Sequence, residues 1–381
     1  MKLIILQEKL KEGLNIIERI TSKSLTLPIL NNTLIKTEKN FINLSSTDLE
    51  IAILWWDLAK IEKEGKIVVP SRLLSSFINL IPNKPINLEI ENLNLIVKSE
   101  NYKTQIKGYN PDDFPIIPVI KEEKFFSIEN STFCQSLSQV VDFTNPSLTK
   151  PEISGIYFNF KKDLITITAT DSFRLGEKKI FLENFRKEKS SLLDFEYSFI
   201  LPHKTAREIL NIFGEKEGEL KIYFTPNQVM FELPMEEVKH PKIQIISRLI
   251  EGSFPNYQEI IPKKYETEII LNREEFLNQV KLASLFSGKI NEVKLKINSK
   301  NQQIEISSQN PEVGNYNSFL SGQIKGQSLE ISFNHRFLID GLSNLKNQKI
   351  IFELNGEEGP GVIKPIDDPG YIYLVMPIKT S

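Results

Sequence analysis

Three stretches of the chain answer one another at a fixed step. Residues 69–82 read VPSRLLSSFINLIP, residues 201–214 read LPHKTAREILNIFG and residues 333–346 read FNHRFLIDGLSNLK, each 132 residues after the one before. A period of this length divides the 381 residues into three copies of one supersecondary plan,. Each stretch opens on a strand-like apolar residue and continues with apolar residues at helical spacing. Pro70 and Pro202 stand near the helix starts, where a missing N–H costs nothing, and Asn334 holds that place in the third copy as a cap,. Each predicts a helix of about three turns.

A second set lies near the start of each copy: LQEKLKEGLNIIERI from Leu6, NSTFCQSLSQVVDFT from Asn130 and LNREEFLNQVKLASLFS from Leu271. Leu10, Leu14 and Ile17, then Leu137, Val140 and Val141, then Phe276, Val280 and Leu285 recur at roughly helical spacing, with Asn130 and Asn272 as polar caps,. Between the helices run alternating segments such as 41–53, 164–180 and 303–319, broken by polar turns,. INLEIENLNLIVKS, LKIYFTPNQVMFEL and IIFELNGEEGPGVIKP read as hairpins with Asn or Gly at the bend,. Proline-bearing connectors at 108–124 and 251–264 enforce extended chain, because a residue before proline avoids helical angles,. The expected architecture is α+β in three domains, 1–121, 122–250 and 251–381. Each has two amphipathic helices on one side of antiparallel sheet.

Charge and cysteine content then limit the function. Forty-seven Lys and Arg against 49 Asp and Glu leave a net charge of −2, so any nucleic-acid contact comes from segregated charge rather than excess,. A 40% apolar, 25% charged composition is that of an ordered chain,. Cys134 is the single cysteine, which excludes an internal disulfide and a cysteine-based metal cage,. The first apolar run, in MKLIILQEKLKEGL, spans four residues, and nothing later approaches the roughly 18 needed for a membrane span,. A soluble, cytoplasmic protein without membrane contact is expected.

An enzyme reading finds little to stand on. His203, His240 and His335 lie more than 30 residues apart with no metal-ligand spacing, so no metal site is expected,. Asp48 and Asp171 follow equivalent strands, but one per repeat, where they serve as turn residues after Thr47 and Thr170,. No phosphate-binding glycine loop, nucleophile elbow or dinucleotide fingerprint is present, and no cofactor is implied,. Cys134, on an apolar helix face, reads as a small buried hydrophobe. An extracellular carbohydrate-binding array would need exposed Trp platforms, whereas Trp55 and Trp56 are adjacent in one strand.

Seven segments in order, LTLPILNNTLI (25–35), SSTDLEIAI (45–53), VVPSRLL (68–74), DDFP (112–115), ATDSFRLG (169–176), EGSFPNYQEIIP (251–262) and YLVMPIK (373–379), resemble the signatures of the bacterial sliding clamp, the β subunit of DNA polymerase III. The likeness spans the whole chain. It implies three DNA-clamp domains per protomer, two protomers joined head to tail into a ring with helices inside and sheet outside, and a non-catalytic processivity factor that encircles duplex DNA. The implied partners are a second copy of the chain, double-stranded DNA without sequence preference, the replicative polymerase alpha subunit, the clamp-loader delta subunit and other proteins carrying a clamp-binding motif. Sliding on any sequence requires phosphate rather than base contacts, and a wide, water-filled pore makes the attraction shallow.

Carried residue by residue, the resemblance implies a DNA-facing set of Lys23, Arg72, Lys150, His203, Lys204 and Arg207. Lys9, Lys11, Arg19, Arg273, Lys281 and Arg336 are further basic residues on the helix faces. It implies a partner-peptide pocket of Ile153, Thr170, Ser172, Phe173, Arg174, Leu175, Pro255, Ile260, Leu374, Val375, Met376, Pro377 and Ile378. Apolar walls and a flexible Met suit a receptor for short linear motifs. Ring closure is expected through Ile106, Leu285 and Phe286, with Lys103 or Lys107 at the rim,. The chain departs from the family with Lys23 and Ser24 where an arginine is frequent, with Ser172 in place of the common Gly, and with Phe173 in place of the common His.

Overall fold

The computed structural model describes residues 1–21, 26–120, 125–144, 149–182 and 196–379. Among these residues six α-helices form: α1 (Gln7–Ile17), α2 (Ser71–Leu80), α3 (Asn130–Ser138), α4 (His203–Phe213), α5 (Arg273–Ser284) and α6 (His335–Ser343). All six fall on the stretches that apolar spacing predicts as helix. The Asn334 side chain accepts from the Arg336 N–H at 3.0 Å and the Asn272 side chain from Glu275 N–H at 3.1 Å, so both cap as expected,. Asn130 does something else: fully buried, it donates to the carbonyls of Phe213 and Lys216 at 2.7 and 2.5 Å. It thereby satisfies carbonyls at the C-terminal end of α4.

Two compact units are formed. Unit 1 holds the described residues within 1–133 and 207–249; unit 2 holds the described residues within 134–206 and 250–381. In unit 1 a five-stranded sheet runs Lys60–Lys63, Lys2–Leu6, Pro85–Glu91, Asn94–Ser99, Tyr102–Lys107. An eight-stranded sheet runs Phe126–Glu129, Glu219–Thr225, Gln228–Pro234, Pro241–Arg248, Ile51–Leu58, Phe41–Thr47, Asn32–Glu38, Lys66–Pro70. In unit 2 the nine-stranded order is Tyr197–Pro202, Gly155–Lys161, Leu164–Thr170, Arg174–Phe181, Tyr371–Val375, Gly361–Pro365, Lys349–Leu354, Thr267–Asn272, Gln323–Gly326. A four-stranded sheet, Gly314–Ser321, Gln303–Asn310, Glu292–Asn298, Leu329–Asn334, completes it.

Two of these pairings join strands of different repeats. Strand Ile51–Leu58 pairs antiparallel with Pro241–Arg248, and Arg174–Phe181 with Tyr371–Val375. The sheets therefore continue through the repeat boundaries, and compactness follows the sheets rather than the sequence period. Helices cover one face. At two places the approach is so close that only hydrogen fits: a Cβ on Gly13 of α1 would stand 2.4 Å from the Trp55 ring, and one on Gly341 of α6 would stand 2.3 Å from the Tyr373 ring. Trp55 and Tyr373 are fully buried by these contacts. Burying a ring of this size stabilises by about 2–3 kcal/mol, which is why glycine at the crossing is favourable despite its cost within a helix.

Candidate functional site

The site begins with a turn. After strand Leu164–Thr170, the Asp171 Oδ1 accepts from the backbone N–H of Phe173 and of Arg174, both at 3.0 Å. The Thr170 hydroxyl donates to the Arg174 carbonyl at 2.7 Å and accepts from Ser172 N–H at 3.2 Å. Ser172 sits at φ +77°, in the left-handed region where glycine is easier,. The turn projects Phe173, which is 61% exposed. Unit 1 builds the same turn from Thr47 to Ile51: Asp48 Oδ1 accepts from Glu50 and Ile51 at 3.0 and 2.8 Å, and Leu49 lies at φ +79°. Asp48 and Asp171 each act within their own turn.

The chain then enters the strand Arg174–Phe181, whose two faces divide the candidate residues. In register, Leu175 faces Leu374 and Arg174 faces Val375. Leu175 and Leu374 join Val362 and Tyr257 in a buried cluster against which Met376 packs. On the opposite, helix-covered face the Arg174 guanidinium donates to Asp171 at 3.0 Å, to Asp340 of α6 and to the Asp142 carbonyl at 3.3 Å. Its plane lies 4.8 Å from the centre of the Phe337 ring and 5.5 Å from that of Phe143,. Phe173 also stacks with Phe337, ring centres 6.2 Å apart.

Two backbone bonds tie the C-terminal segment to this platform, Met376 N–H to Phe173 O and Ile378 N–H to Ser332 O, both 2.8 Å. Met376, Pro377 and Ile378 stay half-buried, Pro255 and Ile260 are exposed, and Ile153, Thr170 and Val375 are buried. Of the candidate apolar residues, Phe173, Met376, Ile378, Pro255 and Ile260 keep exposed surface and Leu175, Leu374, Val375 and Ile153 do not; Leu374 lies with Leu175 on one face of the sheet and Val375 with Arg174 on the other. Sequence reasoning missed Phe337, Asp340 and Tyr257. Tyr257 was within reach, because it lies in the quoted EGSFPNYQEIIP segment; its hydroxyl donates to the buried Glu177 at 2.6 Å.

The basic set is less uniform than the resemblance implies. Lys23 lies outside the described residues. Arg72 on α2, Lys150 and Lys204 on α4 are exposed, and Arg207 is half-buried. Burial lowers the His203 imidazole below its ordinary value, so it does not supply a positive charge at neutral pH,. In unit 1 Arg19 is engaged with Glu208 at 2.5 Å, whereas Lys9 keeps an exposed side chain, 3.9 Å from an Asp57 that Lys242 already holds. Arg273 is a cap rather than a free cation, donating to the Asn347 and Leu342 carbonyls at 3.1 and 3.4 Å near the end of α6.

At the expected interface, Leu285 is 67% exposed and Phe286 stacks on Tyr316 of an edge strand, ring centres 6.0 Å apart. Ile106 departs from expectation. Its strand, Tyr102–Lys107, is an edge, but the side chain points into its own sheet opposite Leu95 and is buried. What that edge offers is backbone, with Lys103 and Lys107 exposed beside it,. No group of three or more His, Cys, Asp or Glu among the described residues is placed to hold a metal, and no described helix is long and apolar enough to cross a membrane.

Comparison with known proteins agrees from end to end. Residues 1–118, 127–256 and 258–379 match the N-terminal, central and C-terminal domains of the DNA polymerase III beta subunit. The beta sliding clamps of Staphylococcus epidermidis and Staphylococcus aureus are each 27% identical over 365 residues, covering 93% of both chains. The crystal structure of the DNA polymerase sliding clamp from Bacillus subtilis superposes with a TM-score of 0.91 at 28% identity over 100% of both chains. The DNA polymerase III beta subunit of Thermotoga maritima shares the fold, with a TM-score of 0.88 at 23% identity and 100% coverage of both. With all three domains matched in order along one chain, the protein belongs to the family of the DNA polymerase III beta subunit, the bacterial sliding clamps.

Proposed function

We propose that two copies of this chain close head to tail into a ring that encircles duplex DNA and holds a replicative polymerase on it, without catalysing any step itself. The observation that carries this reading is the end-to-end likeness, in sequence and in fold, to sliding clamps. In this reading the three domains are 1–121, 122–250 and 251–381. Arg72, Lys150, Lys204 and Arg207, with Lys23, face the phosphates. Contacts to phosphate alone leave the ring indifferent to sequence, and retention comes from topology rather than affinity. Leu285 and Phe286 form the apolar centre of the protomer contact against the edge strand Tyr102–Lys107,. The surface of Phe173, Met376, Ile378, Pro255 and Ile260 receives short motifs of the polymerase alpha subunit, the clamp-loader delta subunit and other partners, one at a time. The compartment is the cytoplasm.

The test is mass and topology. In solution the protein should run at about twice the 43.9 kDa chain,. Loaded onto nicked circular plasmid it should remain through a salt wash and leave when the plasmid is linearised. A protein that stays a single chain at high concentration, or leaves circular and linear DNA alike, is not a ring.

A further inference from the structure

Unit 1 contains a groove at the place that unit 2 fills. In both units four strands line up side by side, and the register allows the outward-facing rows to be compared. In unit 2 the row is Tyr157, Thr168, Glu177, Ile372; in unit 1 the corresponding row is Leu34, Ser45, Leu54, Gln244. The proline connector of unit 2 packs down on its row: Phe254 stacks on Tyr157 at 4.9 Å, and the Tyr257 hydroxyl reaches Glu177. Unit 1 has the smaller Leu34 and the apolar Leu54, and its connector brings Phe114 and Pro115. A cavity of about 590 Å³ remains between sheet and connector.

The cavity wall is aromatic. Phe41 stacks on His240 with ring centres 3.9 Å apart, and Trp56 meets the same imidazole edge-on at 5.7 Å. The floor is already satisfied, since Ser45 donates to Asn43 at 2.7 Å and Asn43 to the Trp55 carbonyl at 3.2 Å. It therefore offers shape and apolar contact rather than open hydrogen-bonding groups. A second hollow of about 90 Å³ shares Pro115 and Ile116 with the first and reaches Arg248. Both lie along the strand Pro241–Arg248, so together they span about 25 Å at roughly 3.3 Å per residue,. That is the length of seven or eight extended residues, and too long for a compact molecule. Ile116, between the two hollows, is 95% exposed.

Charge selects the occupant. Lys36 is occupied by Glu38 at 3.0 Å. Lys39 in the first hollow and Arg248 in the second are exposed and form no ion pair among the described residues; with Lys36 they set three basic residues against Glu38 and Glu50, an excess of one positive charge. We propose that this groove binds an extended peptide whose apolar, aromatic centre is flanked by acidic residues, as a second docking site separate from the one in unit 2.

The probe is a fluorescein-labelled octapeptide, Asp-Asp-Trp-Leu-Phe-Ala-Asp-Asp, titrated with the full chain and read by anisotropy. Saturable binding below about 1 mM is expected. Ile116→Asp, at a position exposed enough to leave folding intact, should weaken it by about tenfold or more, as should filling the cavity with Leu34→Trp. Lys39→Glu with Arg248→Glu should weaken it and flatten its salt dependence. An unlabelled peptide with Gln and a terminal Leu–Phe, directed at unit 2, should not displace it. Absence of saturation, insensitivity to Ile116→Asp, or displacement by that second peptide would each overturn the proposal.

Discussion

Replacing Arg174 with Met should destabilise the protein by about 3 kcal/mol, and the structure says which partner sets that figure. The guanidinium is 12% exposed and has two carboxylate partners of unequal burial: Asp171 at 8% and Asp340 at 45%. Removing one member of a buried ion pair costs about 3–5 kcal/mol because the other charge is left without its counter-ion. Asp171 would keep its two backbone donors at 3.0 Å, which places the loss near the lower bound. Contact with the Phe337 and Phe143 rings is largely recovered, since a thioether beside an aromatic ring is worth about as much as an exposed cation–π pair, roughly 0.5–1 kcal/mol. Asp340 is nearly half exposed, and solvent screens its pairing, so Asp340→Asn should cost about 1 kcal/mol or less,. In urea, with a slope of roughly 2–3 kcal/mol/M, Arg174→Met lowers the midpoint by about 1 M and Asp340→Asn by a few tenths. Circular dichroism on the two variants and the double variant gives the coupling directly. If Asp340→Asn costs as much as Arg174→Met, or if Arg174→Met costs under about 1 kcal/mol, Asp171 is not the counter-ion that fixes this arginine.

A peptide carrying Gln and a terminal Leu–Phe should bind the unit 2 surface at micromolar concentration or below, and Met376→Lys should abolish that binding; calorimetry showing an unaltered isotherm would remove the pocket assignment. Cys134, 4% exposed with its thiol pushed up to about 12 by burial, should resist iodoacetamide at pH 8 in the native protein and react fully in about 6 M guanidinium,. Burial lowers the imidazoles of His203 and His335, the latter also under Arg336, from their ordinary 6.5. The unfolded chain then binds more protons, so stability is complete above that value and falls as pH drops below it. His203→Gln with His335→Gln should flatten this slope in urea melts run from about pH 7.5 to 5.

The six helices were legible because an amphipathic helix writes its own period into the chain, and proline or asparagine marks where it starts. Sheet partners were not. Alternation says that Ile51–Leu58 and Pro241–Arg248 are strands, but nothing local says that residues nearly 200 positions apart pair with each other. The same limit hid the surroundings of Arg174, whose partners Asp142 and Asp340 lie 32 and 166 residues away. It also misdirected Ile106: an apolar residue in a lysine-rich edge strand fits an interface by sequence, whereas the register turns it inward. Charge was legible as composition but not as availability. Arg19 and Arg273 read as free helix-face cations, and each is held by a carboxylate or by carbonyls.

The two equivalent turns explain how one backbone plan can carry different surfaces. Thr47–Ile51 and Thr170–Arg174 make the same side-chain-to-backbone bonds, and both hold a non-glycine residue in the left-handed region, at a cost of about 1–2 kcal/mol,. Two to three hydrogen bonds from Thr and Asp, worth about 1 kcal/mol each, are enough to offset that. The turn is therefore fixed by Thr-Asp alone, and the residues that follow are free to vary. After Asp171 come Ser172 and Phe173, which project an aromatic ring; after Asp48 come Leu49 and Glu50, which project an aliphatic residue and an acid. One row further along the sheet, Glu177 recruits Tyr257 and closes its junction, while Leu54 recruits no hydroxyl and leaves its own open. Backbone hydrogen bonding keeps the repeats alike, and single side chains on the outward rows decide which junction is filled from within and which is left for a partner.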